Sequence, residues 1–209
     1  YDDQALIIER LPVSEEGIGT ALLTRHWGTA RKAALFSLEL DRRTPLIARP
    51  FHTTNLMLAT VAALLVFGLA RALSISTLGA AAAGLLFTLH PIHTDAVASI
   101  IGRAELLAAI GVLGALIVHI RGYPGGLGSR AVAAGAFALA MLSKENAAVL
   151  LGLLLLYDLS LGRRRLREAL YSLLPYLAVL FAWAALALAQ EGELAAIPAV
   201  DNHLAQLPT

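Results

Sequence analysis

From His52 onward the chain alternates long uncharged apolar runs with short charged connections, and this alternation decides what it can fold into. Residues 53–70 and 72–89 are two runs of eighteen uncharged residues separated by Arg71. A third covers 104–120, with Glu105 near one end and His119 near the other. Two shorter runs, 131–143 and 146–157, flank Lys144-Glu145, and the last, 169–190, contains Pro175. In hydrocarbon the backbone must satisfy its own hydrogen bonds, so runs of this kind fold as helices. A spanning helix takes about 20 apolar residues, within a range of about 17–25, and four of the runs qualify on length. Composition agrees: the chain is 58% hydrophobic with a mean hydropathy of +0.72, where soluble domains are about 45–50% apolar. The expected fold is an all-α, polytopic transmembrane bundle of about six spanning helices seated in a lipid bilayer. Its units are a polar first loop over 1–52, the bundle over 53–190, and a second loop over 191–209.

A net charge of +1 argues against nucleic acid as the partner. The chain has no cysteine, which excludes disulfides, thiolate nucleophiles and Cys-held metals. It begins at Tyr1 without a signal peptide and reads as a piece of something longer, with one further helix expected upstream. Ala and Leu dominate the helices and Arg greatly outnumbers Lys, a bias that favours a bacterial inner membrane over the endoplasmic reticulum as the location. Within the first loop, residues 33–40 form a candidate interfacial helix.

The arginines set the topology. Arg71, Arg121, Arg130 and the cluster Arg163-Arg-Arg-Leu-Arg167 all lie in short connections, and the positive-inside rule places such connections together in the cytoplasm. An even number of crossings then separates Arg71 from Arg121 and Arg130 from Arg163. The stretch His90–Arg103 therefore turns on the far side, and 131–157 is a hairpin with Lys144-Glu145 at its tip, not one long helix. Thirteen residues cover only about 20 Å of a roughly 30 Å core, so the tip is expected below the external surface, within a cavity.

Four polar segments thereby reach one face: Tyr1-Asp2-Asp3, His90–Glu105, Ser143-Lys144-Glu145, and Asp201-Asn202-His203. Each has two readings. Asp2-Asp3 is a solvated acidic pair, or a general base beside a metal ligand. His90 and His93, with Asp95, either mark a helix start at Pro91 capped by Thr94 or Asp95, or form an anion or metal site. Arg103 and Glu105 either pair at a helix end, or Arg103 meets a phosphate. Lys144 and Glu145 either brace the hairpin as a buried pair or serve a ligand. His119 reads as an interfacial side chain. Carboxylates able to hold a divalent cation and take a proton, together with Arg and Lys able to stabilise a departing phosphate, suit a lipid-linked phosphate substrate.

The motifs carry a resemblance. Tyr1-Asp2-Asp3, Arg31 ahead of an apolar-aromatic stretch, Phe51-His52-Thr-Thr-Asn55, the string from Leu86 through His90-Pro-Ile-His-Thr-Asp-Ala-Val-Ala-Ser-Ile-Ile-Gly-Arg-Ala-Glu105 to Leu107, Leu142-Ser-Lys-Glu-Asn146, Leu156-Tyr-Asp158 and Asp201-Asn202 occur in this order. The order resembles the transmembrane and tetratricopeptide-repeat O-mannosyltransferases of the C-type glycosyltransferase superfamily. The resemblance implies an enzyme that moves a sugar, mannose in eukaryotes, from a polyprenyl-phosphate donor to a serine or threonine hydroxyl of a protein, with inversion, on the external membrane face. It assigns Asp2 and Asp3 as catalytic acids, with one as base and the other assisting or binding magnesium or manganese. His90, His93, Arg103 and Lys144 become donor-phosphate groups, and Arg31, Asp95, Glu105 and Glu145 support them. The chain departs from the family at Arg31-Lys32, where Arg-Pro is usual, at Leu58 and Ala59, where a histidine is frequent, and at Asp95, where glutamate is common; the repeats are absent. A non-catalytic module that binds lipid phosphate and a transporter are the competing readings. A transporter would carry its charges at the bilayer midplane within broken helices.

Overall fold

The computed structural model describes residues 32–42, 49–99, 102–122 and 126–195, and among these there are helices and turns but no strand. Asp2, Asp3, Arg31 and the segment Asp201-Asn202-His203 lie outside the described residues. In chain order the elements are α1 (Lys32–Arg42), α2 (Arg49–Ala72), α3 (Thr77–Leu89), a 3-10 turn (Pro91–His93), α4 (Thr94–Ala98), α5 (Arg103–Gly122), α6 (Leu127–Ser143), a second 3-10 turn (Glu145–Ala148), α7 (Val149–Ser160) and α8 (Leu166–Ala195).

Among the described residues three helices are long and apolar enough to cross a membrane: Phe51–Ala72 of α2, the whole of α5, and Leu166–Ala189 of α8; Thr77–Leu89 and Leu127–Ser143 are shorter apolar helices. The run 72–89 shows how a shorter one arises. Ser74 adopts a left-handed φ of 64°, the Arg71 guanidinium donates to the Ile75 carbonyl at 2.6 Å, and Ser76 Oγ caps the Gly79 N–H at 3.2 Å. The turn consumes the first residues of the run, and α3 keeps thirteen, about 20 Å of rise against a core of about 30 Å.

Side-chain contacts give each helix a direction. Arg103, opening α5, bonds to Asn55 near the start of α2, and Arg121, near the end of α5, donates to the Gly68 carbonyl late in α2; the two helices run parallel. α3 returns along α2, with Gly84 against Ala63 and Phe67. α6 returns along α5 so closely that a Cβ on Gly111 would lie 2.5 Å from the Ala136 carbonyl and 2.7 Å from the Ala140 Cβ. At Lys144 the backbone opens to φ −160°, ψ 135°, which ends α6 and turns the chain into α7. α7 then runs beside α5 until Asp158 meets His119. α8 starts at that same end, with Ser172 on Asp158 and Tyr176 on His119.

The bundle thus has two ends. One gathers His90, Arg103, Glu105 and Lys144; the other gathers Arg71, Arg121, Arg130 and the 163–167 cluster, the grouping that the arginine spacing implies. Between them lies a core of Phe137, Met141, Leu150, Leu154 and Tyr176. Large apolar side chains such as Leu64, Leu78, Leu86 and Leu188 point outward, as a surface solvated by lipid allows.

Candidate functional site at the His90 end

The site is built on the start of α5. Gly102 lies so close to α4 that a Cβ there would sit 2.3 Å from the Ala96 carbonyl. No larger residue lets α4 close on α5 in this way, and the close approach turns Arg103 inward. The Arg103 side chain has no exposed surface. Its Nε–H donates to Asn55 Oδ1 at 2.9 Å, Nη1 to the Ser37 carbonyl at 2.9 Å and to Ser37 Oγ at 3.5 Å, and Nη2 to Asp41 Oδ2 at 2.6 Å and the Phe51 carbonyl at 3.1 Å. An arginine has five N–H donors, and here protein acceptors from α1 and α2 take all five. Asn55, itself fully buried, also donates to the Ser99 carbonyl at 2.8 Å, and Thr54 donates to Asp41 Oδ1 at 3.1 Å.

This arrangement gives Arg103 a structural place beside the donor-phosphate role expected of it. The guanidinium has every donor satisfied and no exposed surface. Arg103 ties α1, α2 and α5 together. Asn55 and Asp41, which the tie requires, were given no role in the sequence. Asn55 closes the Phe51-His52-Thr-Thr-Asn55 motif, which marked it without giving it a partner, and Asp41 was one of many acids in a charged loop.

Lys144 behaves differently. Its Nζ is paired with Glu105 Oε1, thirty-nine positions away, not with its neighbour Glu145. The lysine side chain is 21% exposed and the glutamate 54%. The end of α6 fixes the lysine backbone, whose N–H reaches the Ala140 carbonyl at 2.9 Å. The expected alternatives, an Arg103–Glu105 pair and a Lys144–Glu145 pair, both give way to this cross-helix pair between the tip and α5. Glu145 is exposed in the turn after it.

His90 is exposed, and its Nδ1 accepts the Ile92 N–H at 3.2 Å, so the histidine itself caps the 3-10 turn that Pro91 begins. The Thr94 or Asp95 cap expected there is not formed. His93 is half-buried, with its ring centroid 4.1 Å from that of Phe87 and 6.1 Å from that of His90. Asp95 is exposed in the first turn of α4. Among the described residues no three His, Asp or Glu side chains are grouped to hold a metal ion.

The opposite end holds a second polar cluster. Asp158 is fully buried; its carboxylate accepts from Arg164 Nη1 at 2.7 Å, from Ser172 Oγ at 2.6 Å, and lies 3.0 Å from His119 Nε2. His119 Nδ1 is 3.2 Å from the Tyr176 hydroxyl. His119 is therefore a core group and not the interfacial side chain that its position beside Arg121 suggested. Arg164 reaches Asp158 because the chain folds back after α7: Gly162 N–H bonds the Tyr157 carbonyl at 2.8 Å, and Arg163 takes φ 49°.

Chemically, the Asp158 network at the arginine-rich end is satisfied within the protein, beside a cavity lined by His119, Arg130, Ser172 and Tyr176, and the His90 end presents one partly exposed ammonium, an exposed carboxylate and two imidazoles. No family model and no solved structure matches the chain. It is similar to protein O-mannosyl-transferase Tmtc2 of Drosophila melanogaster, 35% identical over 176 residues, which cover 76% of this chain and 18% of that protein. Tmtc1 of the same organism is 35% identical over 58% of the chain and 16% of its own length. Human protein O-mannosyl-transferase TMTC1 is 33% identical over 60% of the chain and 16% of its length. The chain thus spans less than a fifth of these relatives. All three are animal proteins, which lends the expected bacterial membrane no support.

Proposed function

This chain belongs to the family of transmembrane O-mannosyltransferases that those relatives represent, and from that premise we propose that its His90 end receives a polyprenyl-phosphate-linked sugar. The sugar is mannose by the relatives' names, and the acceptor is a serine or threonine hydroxyl of a protein. The single observation that carries the reading is Lys144: a half-buried ammonium at the break between α6 and α7, paired, among the described residues, with a carboxylate that solvent already reaches. The arginines gathered at the other end support a cytoplasmic position for that end, which puts the transfer site on the external face.

The mechanism is a direct displacement. The acceptor oxygen attacks the anomeric carbon from the side opposite the phosphate, and the carbon–oxygen bond to the phosphate breaks, so configuration inverts. The phosphate leaves with the bonding electron pair, and Lys144 stabilises its growing charge, with His90 and His93 at the same end of the bundle. The hydroxyl proton passes to a carboxylate, which we assign to Asp2 or Asp3. Arg103 acts indirectly by holding α1 against α2 and α5. Magnesium or manganese, if used, would be held by Asp2 and Asp3, which lie outside the described residues.

The test uses the full-length protein, labelled polyprenyl-phosphate mannose and a Ser/Thr-bearing acceptor. Transfer is expected, and Lys144→Gln should lower its rate about 100-fold or more, as loss of one transition-state donor does. Wild-type turnover in the Asp2→Asn/Asp3→Asn double variant would remove the carboxylate assignment. Retained lipid-phosphate binding without any transfer would establish the non-catalytic module instead. A transporter fits less well, because the described charges lie at the two ends of the bundle and not in its middle.

A further inference from the structure

We infer that Glu105 is an internal substitute for the donor phosphate: its carboxylate occupies Lys144 when no donor is bound, gives way when the phosphate arrives, and then helps to expel the spent polyprenyl phosphate. The inference rests on the proposed function and concerns how that site is regulated.

The argument starts from unequal burial. Lys144 is 21% exposed and Glu105 54%, so the acid is the member free to swing away. The lysine stays, because its backbone is held on both sides, N–H to the Ala140 carbonyl and C=O to the Ala147 N–H at 3.1 Å. An ammonium has three donors, and among the described residues Glu105 is its one acceptor. The pair is therefore loose in both respects that matter for exchange. An exposed pair of this kind shifts an equilibrium by no more than about five-fold, so displacing it is cheap. A phosphate brings the same type of acceptor, charged oxygen, in greater number.

Arg103 shows that the looseness is specific. Its partner Asp41 also comes from another helix, yet the arginine is fully buried and all its donors are taken. That pair cannot exchange. Two positive side chains in one end of the bundle are thus sorted by burial into one that holds the scaffold and one that trades partners. Once displaced, Glu105 is still attached to the first turn of α5, close to the phosphate it made room for. Its negative charge opposes the leaving phosphate after the sugar has gone, and re-pairing with Lys144 completes release.

The experiment measures binding of farnesyl phosphate, as a short polyprenyl phosphate, to the full-length protein in nanodiscs. Four proteins are compared: wild type, Glu105→Gln, Lys144→Gln and the double variant. The expected result is that Glu105→Gln binds about two- to five-fold tighter than wild type, that Lys144→Gln binds more weakly, and that Glu105→Gln gains nothing when Lys144 is already replaced. In transfer assays Glu105→Gln should lower the donor KM and lower kcat together, because product release slows. A merely structural glutamate would not tighten binding. If the wild type binds the probe and Glu105→Gln binds it equally or less well, this inference falls while the proposed function stands. If the wild type does not bind the probe at all, the donor assignment falls and takes the inference with it.

Discussion

At the arginine-rich end, Asp158 is fully buried and meets Arg164, His119 and Ser172, three partners from three parts of the chain. At the His90 end, Lys144 and Glu105 meet each other, and the acid is more than half exposed. Both clusters tie helices together across long stretches of sequence, yet they differ in closure. A closed network repays the desolvation of its charges only if every member stays, and removing one leaves an uncompensated charge. An open pair costs little to make or break. Closure therefore marks where the bundle is held, and openness marks where a ligand can enter.

The largest expected effect comes from opening the closed end. Asp158→Ala removes a fully buried carboxylate that meets Arg164, His119 and Ser172, and should cost about 3–5 kcal/mol of stability. Thermal unfolding in detergent, followed by tryptophan fluorescence, reads this directly. The protein that remains folded should bind polyprenyl phosphate as the wild type does. A large loss of binding without loss of stability would mean that the far end belongs to the site.

Arg103→Lys comes next. The charge is kept, but one ammonium has three donors where the guanidinium uses five, and its geometry is a point and not a fork. Losing two bonds to buried acceptors at about 1 kcal/mol each predicts about 2 kcal/mol of destabilisation. If Arg103 instead served the phosphate, lysine would leave stability unchanged and alter donor KM, and that result would place Arg103 in the donor site.

Much of this contrast was hidden in the sequence, and the reason is physical. Apolar length located the helices, and the spacing of arginines grouped Arg71, Arg121, Arg130 and the 163–167 cluster and turned the chain at Lys144. Those signals are local or depend on the order of charges alone. The partner of a charge is neither. Lys144 stands next to Glu145 and pairs with Glu105; Arg103 stands two residues from Glu105 and pairs with Asp41; His119 stands two residues from Arg121 and meets Asp158. For Lys144 and Arg103 adjacency suggested one partner and the crossing of helices supplied another, and the same crossing brings His119, read as interfacial, to Asp158. The start of α3 was missed for a smaller reason: after Arg71, a serine at positive φ and a serine cap take the first residues of the next apolar run with no glycine or proline to announce it. The catalytic carboxylates expected at Asp2 and Asp3 lie outside the described residues.

His90→Ala is a smaller perturbation at the open end. The side chain caps the Pro91–His93 turn through Ile92 N–H, and loss of such a cap costs about 0.5–1 kcal/mol. Hydrogen exchange should rise in residues 91–98 and nowhere in α5 to α8. Exchange that spreads into α5 would show that the turn is part of the scaffold and blur the line between the two ends.

The smallest expected change in stability belongs to Lys144→Gln, and it is the most discriminating. The pair it removes is exposed on one side, so unfolding should shift by no more than about 1 kcal/mol. Glutamine keeps the polarity of the side chain at one bond less in length, and the neighbouring backbone bonds to Ala140 and Ala147 do not involve the ammonium. Binding of polyprenyl phosphate and transfer from it should nonetheless fall steeply, because the charge that meets the phosphate is gone. Measured side by side with Asp158→Ala, the two variants should cross: one unstable with donor affinity intact, the other stable with donor affinity lost. If both variants lose stability and affinity in the same proportion, openness and closure do not separate ligand binding from support, and the site must be sought elsewhere in the bundle.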